Sequence, residues 1–252
     1  MTIRDNRVAL ITGANKGIGL QIAKDLAKHG LVVLVGSRDS ANGAVAAKTI
    51  GENAHAIQLD VTDQGSIAVA AERIRKEFGR LDVLVNNAGI AFAGKPDVPF
   101  EERLKSNIPS SASIDDVRRV FETNVFGVMA VTQAMLPLLR EAPAGRIVNT
   151  GSSSGSLTLN SKPEHKHRQM FGAAYSPSKT ALHAISLAFA IELEQTNIKV
   201  NIACPGFTAT DLNDFRGTRT VEQGAREAVR LALIGPDGPT GTLSDEDGPV
   251  PW

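Results

Sequence analysis

The chain has 252 residues, 42% of them hydrophobic, and its 27 lysines and arginines are balanced by 27 aspartates and glutamates. This length and composition predict a soluble globular protein with a substantial buried core. Zero net charge gives no reason to expect nucleic acid or an anionic membrane surface as the main partner, so any polyanion should bind at a local site.

Two further features favour the cytoplasm. The first residues, MTIRDNRVALIT, carry charges where a signal peptide needs an apolar run, and no apolar stretch approaches the roughly 18 residues of a membrane span. Cys204 is the only cysteine, so no internal disulfide can form. Cys204 could be a nucleophile, but its apolar surroundings favour a small buried thiol. We expect a cytoplasmic protein with no nucleic-acid or membrane partner.

Short apolar runs alternate along the chain with longer stretches of helical period, which predicts parallel strands joined by crossover helices. Predicted strands cover 7–12, 31–36, 54–60, 81–86, 145–151, 198–204 and, weakly, a segment near 240. Predicted helices cover 17–29, 40–50, 64–78, 114–140, 175–195 and 220–233, with Asp63 as an N-cap and Thr220 and Gln223 as a capping box.

The predicted fold is α/β: a single-domain Rossmann-type doubly wound parallel sheet of about seven strands with helices on both faces. Residues 1–90 would mainly bind a dinucleotide and residues 91–252 would form the catalytic half. Two long segments, 91–113 and 155–172, fit neither helix nor strand, and loops of this length are more often functional than incidental.

A glycine-rich turn, TGANKGIG, follows the first predicted strand and contains Gly13, Gly17 and Gly19. Glycines allow a tight strand-to-helix turn and bring backbone N–H groups against a pyrophosphate at the helix N-terminus. The alternative is an ordinary strand–helix turn. The position directly after the first buried strand favours dinucleotide binding.

The second predicted strand ends in GSRD. An NAD site usually has a carboxylate here for the ribose 2′-hydroxyl, whereas NADP needs a cation for the 2′-phosphate. Ser37 takes the carboxylate position and Arg38 follows it, with Lys16 expected to face the same corner. This pattern predicts NADPH/NADP in preference to NADH/NAD, unless Asp39 turns inward or Arg38 is only a surface charge.

The ends of the next two strands supply further candidate cofactor contacts. Asp60 and Val61 are placed to meet the adenine, although Asp60 could instead cap the following helix. The small residues after the fourth strand, in LVNNAGIAF, would let a flat ligand approach the backbone, although they could form a simple turn. The contacts here would be Asn87, Ala88 and Gly89.

Seven segments in order resemble the motifs of the classical short-chain dehydrogenases/reductases, most closely the NADPH-dependent carbonyl reductase group. They are TGANKGIG at 12–19, LDV at 59–61, NNAG at 86–89, TNVFG at 123–127, IVNTGSSSG at 147–155, YSPSK at 175–179 and CPGF at 204–207. The resemblance implies cofactor contacts at Asn15, Ile18, Pro205, Gly206, Phe207, Thr208 and Thr210 as well. Thr208 departs from the valine that many members have.

The only tyrosine, Tyr175, precedes Lys179 by four residues, so the two share a face if a helix begins near Pro177. A phenol has a pKa near 10, and a nearby ammonium would favour the phenolate. An isolated pair of this kind would more often be a core tyrosine and a surface lysine. The resemblance implies that Tyr175 protonates the substrate oxygen, while Lys179 lowers the tyrosine pKa and binds the nicotinamide ribose.

The resemblance assigns two more catalytic residues. A carbonyl oxygen that gains negative charge needs a hydrogen-bond donor, and the family pattern places this role on Ser152, leaving Ser153 and Ser154 as loop or pocket-wall residues. Asn124 matches the residue thought to hold a water in a proton relay through the lysine. The alternative for Asn124 is a tolerated polar residue, although asparagine has low helix propensity.

The spacing from Ser152 to Tyr175 is 23 residues (175 − 152), longer than in compact members, and the added residues include His165 and His167. H-x-H could be half a metal site, but no cysteine or carboxylate pair accompanies it, so we expect no metal. The segment would rim the substrate pocket or be a solvated insertion. It could also crowd the helix that members use for pairing, so monomer and homo-oligomer both stay open.

The sequence therefore predicts an enzyme that passes hydride from NADPH to the carbonyl of a small-molecule ketone, aldehyde or quinone. One alternative is an NAD(P)-dependent alcohol dehydrogenase working in the oxidative direction. A non-catalytic NADP-binding regulator is disfavoured because the chain keeps all four catalytic residue types.

Overall fold

The computed structural model describes residues 7–93 and 98–252. These residues form one sheet of eight strands in the order β3-β2-β1-β4-β5-β6-β7-β8. Neighbours from β3 to β7 are parallel, and β8 is antiparallel to β7. The strands are β1 Val8–Ile11, β2 Val32–Ser37, β3 Ala54–Gln58, β4 Val83–Asn86, β5 Arg146–Thr150, β6 Lys199–Ala203, β7 Leu243–Asp245 and β8 Gly248–Pro249.

The α/β Rossmann-type fold predicted from the sequence is confirmed, with one addition at the edge of the sheet. The sequence missed β8 because a two-residue strand is too short to show a period. Its antiparallel pairing makes the sheet mixed rather than wholly parallel.

Helices cover both faces of the sheet. In the described ranges the α-helices are α1 Gly17–Lys28, α2 Ser40–Ile50, α3 Gln64–Phe78, α4 Phe100–Lys105, α5 Ile114–Phe121, α6 Gly127–Arg140, α7 Leu157–Asn160, α8 Tyr175–Glu192 and α9 Val221–Ala232. The short helices α4 and α7 lie in segments predicted as loops. None of the described helices combines the length and apolar character that a membrane crossing requires.

Alternation along the strands divides the core into two layers. Val8 and Leu10 of β1 face a cluster that includes residues of α3, α6 and α8. Ala9 and Ile11 face the opposite cluster, which includes residues of α1, α2 and α9. The strands are apolar throughout because each face is covered by helices.

Several predicted helix boundaries are set by the expected side chains. Asp63 caps α3 by accepting hydrogen bonds from the N–H groups of Gly65 and Ser66, at 2.8 and 3.3 Å. Thr220 and Gln223 form the predicted capping box of α9. Of the prolines that marked the first long loop, Pro96 lies outside the described residues.

The helix predicted over 114–140 is interrupted. A π-helical segment, Glu122–Phe126, joins α5 to α6. π-helical turns inside α-helices are frequent at functional sites because the wider turn redirects a side chain. This segment contains Asn124, one of the predicted catalytic residues.

Candidate active site

The glycine-rich turn lies at the point where the sheet order reverses, between β1 and β4. Gly13 and Gly17 have φ of +62° and +57°, in the left-handed region that favours glycine. A Cβ on Gly19 would lie 2.4 Å from Nδ2 of Asn87, so that position also needs glycine. The turn is therefore pressed against the residues that follow β4.

Thr12 links the end of β1 to the residues that follow β4. Its hydroxyl oxygen accepts hydrogen bonds from the backbone N–H groups of Asn87 and Ala88, both at 3.0 Å. The Asn87 side chain donates in return to the carbonyl oxygens of Thr12 and Gly13. The predicted contacts at Gly13, Asn87 and Ala88 thus lie together, and sequence analysis missed Thr12 because a threonine at a strand end has no distinctive spacing.

At the end of β2, the Asp39 side chain is the N-cap of α2. Its carboxylate accepts a hydrogen bond from the N–H of Asn42 at 2.9 Å and caps α2, while the hydroxyl of buried Ser37 donates to its carbonyl oxygen. Arg38 is exposed and forms no side-chain hydrogen bond or ion pair with any described residue. The end of β2 therefore presents a free cation and no inward carboxylate.

Lys16, which the sequence placed near Arg38, forms an ion pair with a residue far away in the sequence. Its Nζ lies 2.5 Å from the Asp211 carboxylate, which belongs to the segment after β6. The ion pair joins the glycine-rich turn to that segment, and a Cβ on Gly17 would also meet Thr210 at 3.6 Å. A partner this distant in sequence leaves no mark on local spacing.

Asp60 lies at the end of β3 and does not cap α3, because Asp63 does. One oxygen of the Asp60 carboxylate accepts from the backbone N–H and the hydroxyl of Thr62, at 2.9 and 2.7 Å. The other oxygen makes no hydrogen bond with a described residue. Val61 is buried, and its carbonyl oxygen would lie 2.8 Å from a Cβ on Gly127.

α8 begins at Tyr175, and Lys179 lies one turn further along the same helix, as their spacing predicted. The Lys179 Nζ lies 5.7 Å from the centroid of the Tyr175 ring and donates a hydrogen bond to the carbonyl oxygen of Thr150 at 2.7 Å. Gly89 borders the same space, since a Cβ there would lie 3.7 Å from the Lys179 Nζ. The lysine is thus fixed between β5 and the residues after β4.

Ser152 follows β5 and starts a 3₁₀ turn. Its hydroxyl lies 2.6 Å from that of Ser154 and accepts a hydrogen bond from the Ser154 N–H at 3.2 Å. The Ser152 N–H donates to Nε2 of His183 at 3.4 Å. His183 is buried one turn beyond Lys179 on α8, and the sequence gave no signal that it lies beneath Ser152.

Asn124 is fully buried in the π-helical segment. Its Oδ1 accepts from the N–H of Ile90 at 2.9 Å, and its Nδ2 donates to the Ile90 carbonyl oxygen and the Ser178 hydroxyl at 2.8 and 3.0 Å. A Cβ on Gly89 would lie 3.2 Å from Oδ1. Asn124 therefore ties the residues after β4 to α8.

Burial dominates the electrostatics of these groups. It raises the pKa of Tyr175 to about 12, although the hydrogen bond to Ser152 lowers that pKa in part. Burial lowers the pKa of Lys179 to about 8 and that of His183 to about 4, the latter with a contribution from the Lys179 charge. The opposing influence on the Tyr175 pKa thus comes from Ser152, whereas the sequence indicated Lys179.

Cys204, after β6, is 2% exposed, in agreement with the expected buried thiol. Its Sγ accepts a hydrogen bond from the Ser153 N–H at 3.2 Å, and burial raises its pKa. A thiol with a raised pKa carries little thiolate at neutral pH, which disfavours the nucleophile reading.

Residues 205–210 form the wall after β6. Gly206 has φ of +69°, and a Cβ there would lie 2.7 Å from Cδ of Arg219. The Thr208 hydroxyl donates to the Pro205 carbonyl oxygen at 3.0 Å. The remaining predicted contacts in this wall and in the glycine-rich turn are partly exposed: Asn15, Ile18, Phe207 and Thr210.

Asn107 is a residue that sequence analysis missed. Its Oδ1 accepts from the Ala174 N–H at 3.0 Å, and its carbonyl oxygen accepts from the Ala173 N–H at 2.8 Å. Ala174 precedes α8 and offers no capping side chain of its own. Asn107, from the loop between α4 and α5, therefore holds the segment that leads into Tyr175.

The long loops contact the wall after β6 and the residues that follow it. Arg103 of α4 forms an ion pair with Asp214, and Arg216 lies 2.6 Å from the Glu101 carboxylate. From the other side, the His167 ring lies 5.9 Å from the Phe207 ring. Within the described ranges no group of three metal-ligating side chains occurs.

The fold and this cluster define a doubly wound α/β protein with a glycine-rich turn after β1 and a Ser-Tyr-Lys group. The model of the short chain dehydrogenase family matches residues 7–220, and the chain belongs to that family. It is therefore an oxidoreductase, and a nicotinamide cofactor and a small-molecule substrate are typical of its class.

Several relatives match over nearly their whole length. The chain is 36% identical to the short-chain dehydrogenase anuI of Penicillium roqueforti, over 95% of this chain and 94% of that protein. It is 33% identical to carbonyl reductase (NADPH) 3 of Rattus norvegicus, over 92% of each. The solved structure of salutaridine reductase from Papaver somniferum superposes with a TM-score of 0.80 at 31% identity, covering 94% of this chain and 99% of that one.

Proposed function

We propose that this protein is an NADPH-dependent carbonyl reductase acting on a small-molecule ketone, aldehyde or quinone. The observation that carries the proposal is the convergence of Asn124, Ser152 and the Tyr175–Lys179 pair from three separate segments in a member of this family. Similarity to a rat carbonyl reductase named for NADPH supports the same direction of reaction. We further propose a single domain, with residues 1–90 mainly binding the dinucleotide and residues 91–252 carrying catalysis.

The residues at the strand ends fit a dinucleotide. The first helix, α1, has no side-chain N-cap, so its first N–H groups are available to a pyrophosphate. Gly13 and Gly19 let the turn pack closely against the residues after β4, because a Cβ at these positions would lie 2.9 Å from Ala88 Cα and 2.4 Å from Asn87 Nδ2. Asp60 has one free carboxylate oxygen for the adenine.

Arg38 supports NADPH over NADH. It is an unpaired cation at the end of β2, and the nearest carboxylate, Asp39, is used to cap α2. A guanidinium binds a phosphate through several charge-assisted hydrogen bonds, whereas the ribose hydroxyls of NADH would need an acceptor here. When bound, the reduced nicotinamide supplies the hydride.

The chain's own groups supply the proton and stabilise the charge. As the carbonyl carbon accepts hydride, negative charge develops on its oxygen, where the Ser152 hydroxyl can donate. At neutral pH a phenol with a pKa of about 12 is protonated, and an alkoxide is a stronger base than a phenolate, so Tyr175 can give up its proton. The Lys179 ammonium, 5.7 Å from the centroid of the Tyr175 ring, would then stabilise the phenolate.

Asn124 and Lys179 would complete the proposed site on the side of Gly89. The Asn124 amide holds the Ile90 backbone and the Ser178 hydroxyl, which keeps the floor beneath Gly89 in place. Its proposed part in a water relay to Lys179 rests on the family resemblance.

The test is the loss of NADPH absorbance with aryl ketones, keto esters, aldehydes and quinones, in the wild type and in Tyr175→Phe. We expect turnover that falls by about 10²–10⁴-fold in the variant, because the general acid is lost. NADPH binding and melting temperature serve as controls and should change little. An unaltered rate in Tyr175→Phe would refute the assignment, and cofactor binding without turnover on any carbonyl would favour alcohol oxidation or a regulator.

A further inference from the structure

A cavity of about 820 Å³ lies within the insertion 155–172. Part of its lining is apolar, from Leu157, Pro163 and Phe171, and part is basic, from His165, Lys166 and Arg168. The cavity is separate from the cluster around Tyr175, and nothing in the proposed chemistry requires it. Its mixed lining suits a ligand with an apolar body and an anionic end.

The positive charge in this cavity is not neutralised by the protein. The insertion contains Lys162, Lys166 and Arg168 against a single acid, Glu164, so its formal charge is +3 − 1 = +2 in a chain of zero net charge. Neither Lys166 nor Arg168 forms an ion pair with a described residue, and Arg168 donates through Nε to the Asn160 carbonyl oxygen at 3.1 Å.

The third basic residue of the lining, His165, has a polar atom without a hydrogen-bond partner in the described structure. This atom is the buried Nδ1. Buried polar atoms are normally paired, so an unpaired one beside two cations points to a ligand that completes the site.

The insertion connects this cavity to the candidate active site. Asn160, which lines the cavity, donates through Nδ2 to the carbonyl oxygens of Ser153 and Ser154, both at 3.3 Å. At its other end the insertion stops three residues before Tyr175, and His167 contacts Phe207. A ligand that fills the cavity therefore lies next to the segments that carry Ser152 and Tyr175.

We propose that this cavity binds the carboxylate end of an elongated carbonyl substrate, with Lys166 and Arg168 as the groups that recognise the anion. The proposal deepens the carbonyl reductase function and rests on it: the apolar part of the substrate would run along Leu157 and Phe171 while its carbonyl reaches Tyr175. The substrate class is an aryl or alkyl keto acid rather than a neutral ketone.

The first experiment compares aryl keto acids of increasing chain length with their methyl esters. In the wild type the acid should have the lower KM, and high salt should reduce that preference. Lys166→Gln should raise KM for the acid about three- to tenfold and leave kcat and the KM for the ester unchanged. Arg168→Lys keeps the charge and should retain most of the preference.

Lys162→Gln is the matched control, because Lys162 is an exposed lysine of the same insertion that does not line the cavity. It should leave both KM values unchanged. Equal KM values for acid and ester in the wild type, or an equal effect of Lys162→Gln and Lys166→Gln, would overturn the proposal while leaving carbonyl reduction intact.

A binding measurement separates this proposal from the proposed function. Titration calorimetry with phenylpentanoate, a carboxylate without a ketone, should show binding to the wild type and to Lys162→Gln, and weaker binding to Lys166→Gln. If no carbonyl is reduced but this pattern is seen, the anion site stands and the reductase function fails. Absence of phenylpentanoate binding to the wild type would count against the anion site, whatever the activity.

Discussion

The dinucleotide side and the catalytic side of the candidate site are held in different ways. At the ends of β2 and β3, Asp39 bonds to Asn42 and Asp60 bonds to Thr62, partners only three and two residues away. On the catalytic side, Asn124 bonds to Ile90 across 34 residues and Asn107 to Ala174 across 67. Local contacts form wherever the sequence forms its turns, whereas the catalytic cluster exists only when distant segments pack correctly.

The junction of β1 and β4 belongs to the second kind, although it lies on the dinucleotide side. Thr12 and Asn87 are 75 residues apart and meet because their strands are neighbours in the sheet. Contacts within a single turn thus differ from contacts between strands and loops that are distant in sequence. Substitutions should have confined effects in the first group and effects that spread to catalysis in the second.

After Tyr175→Phe, the largest effect should come from Ser152→Ala, which tests whether one hydroxyl of the serine run carries the catalytic role. We expect kcat for carbonyl reduction to fall by about 10²–10³-fold, because the donor to the developing oxyanion is lost. Ser153→Ala is the matched control and should stay near the wild type, since Ser153 contacts Cys204 instead. Similar losses in both variants would mean that the loop, rather than the Ser152 hydroxyl, is what matters.

The next largest effect should be on cofactor binding, which tests whether a substitution on the dinucleotide side leaves the catalytic side unaffected. Arg38→Gln should weaken NADPH binding about 10- to 100-fold, the value of one or two charge-assisted hydrogen bonds, and leave NADH binding unchanged. Fluorescence titration measures both dissociation constants. Lys16→Met should have a smaller effect because Lys16 is paired with Asp211, and a larger loss in Lys16→Met than in Arg38→Gln would reverse this assignment.

A pH profile tests the buried charge on the catalytic side. The Lys179 pKa is lowered to about 8, so the ammonium is present below that pH and is lost above it. The rate of reduction should therefore fall about tenfold per pH unit above roughly pH 8. His183, with a pKa of about 4, stays neutral in this range. A rate that is flat to pH 10, with NADPH binding also unchanged, would contradict a role for the ammonium.

The smallest effect on kcat should come from Asn107, whose hydrogen bond to Ala174 spans 67 residues of sequence. Asn107→Ala removes the acceptor that holds the Ala174 N–H, and we expect kcat to fall about three- to tenfold, with NADPH binding unchanged. Asn107→Asp keeps an oxygen acceptor and should recover most of the rate. Ile108→Ala, at an exposed neighbouring position, is the control. If Asn107→Ala lowers the melting temperature but leaves kcat unchanged, Asn107 supports the fold and does not position Tyr175.

Much of the fold could be read from the sequence because its signals are local and periodic. The parallel strands and five of the six predicted helices follow from apolar runs and helical spacing, whereas the helix predicted over 114–140 is interrupted by a π-helical segment. The caps at Asp63 and Thr220 follow from short-range side-chain chemistry. The strand β8 and the short helices α4 and α7 could not be predicted, because two to six residues carry too little pattern.

The sequence by itself determined the α/β order, the glycine-rich turn and the spacing that places Tyr175 and Lys179 on one face of α8. Only the tertiary structure decided that Lys16 pairs with Asp211, that His183 lies beneath Ser152 and that Asn107 holds the start of α8. It also decided that burial, rather than a neighbouring ammonium, dominates the Tyr175 pKa. The reason is physical: backbone propensity and periodicity act within a few residues, whereas desolvation and hydrogen bonds between loops depend on which segments packing brings together.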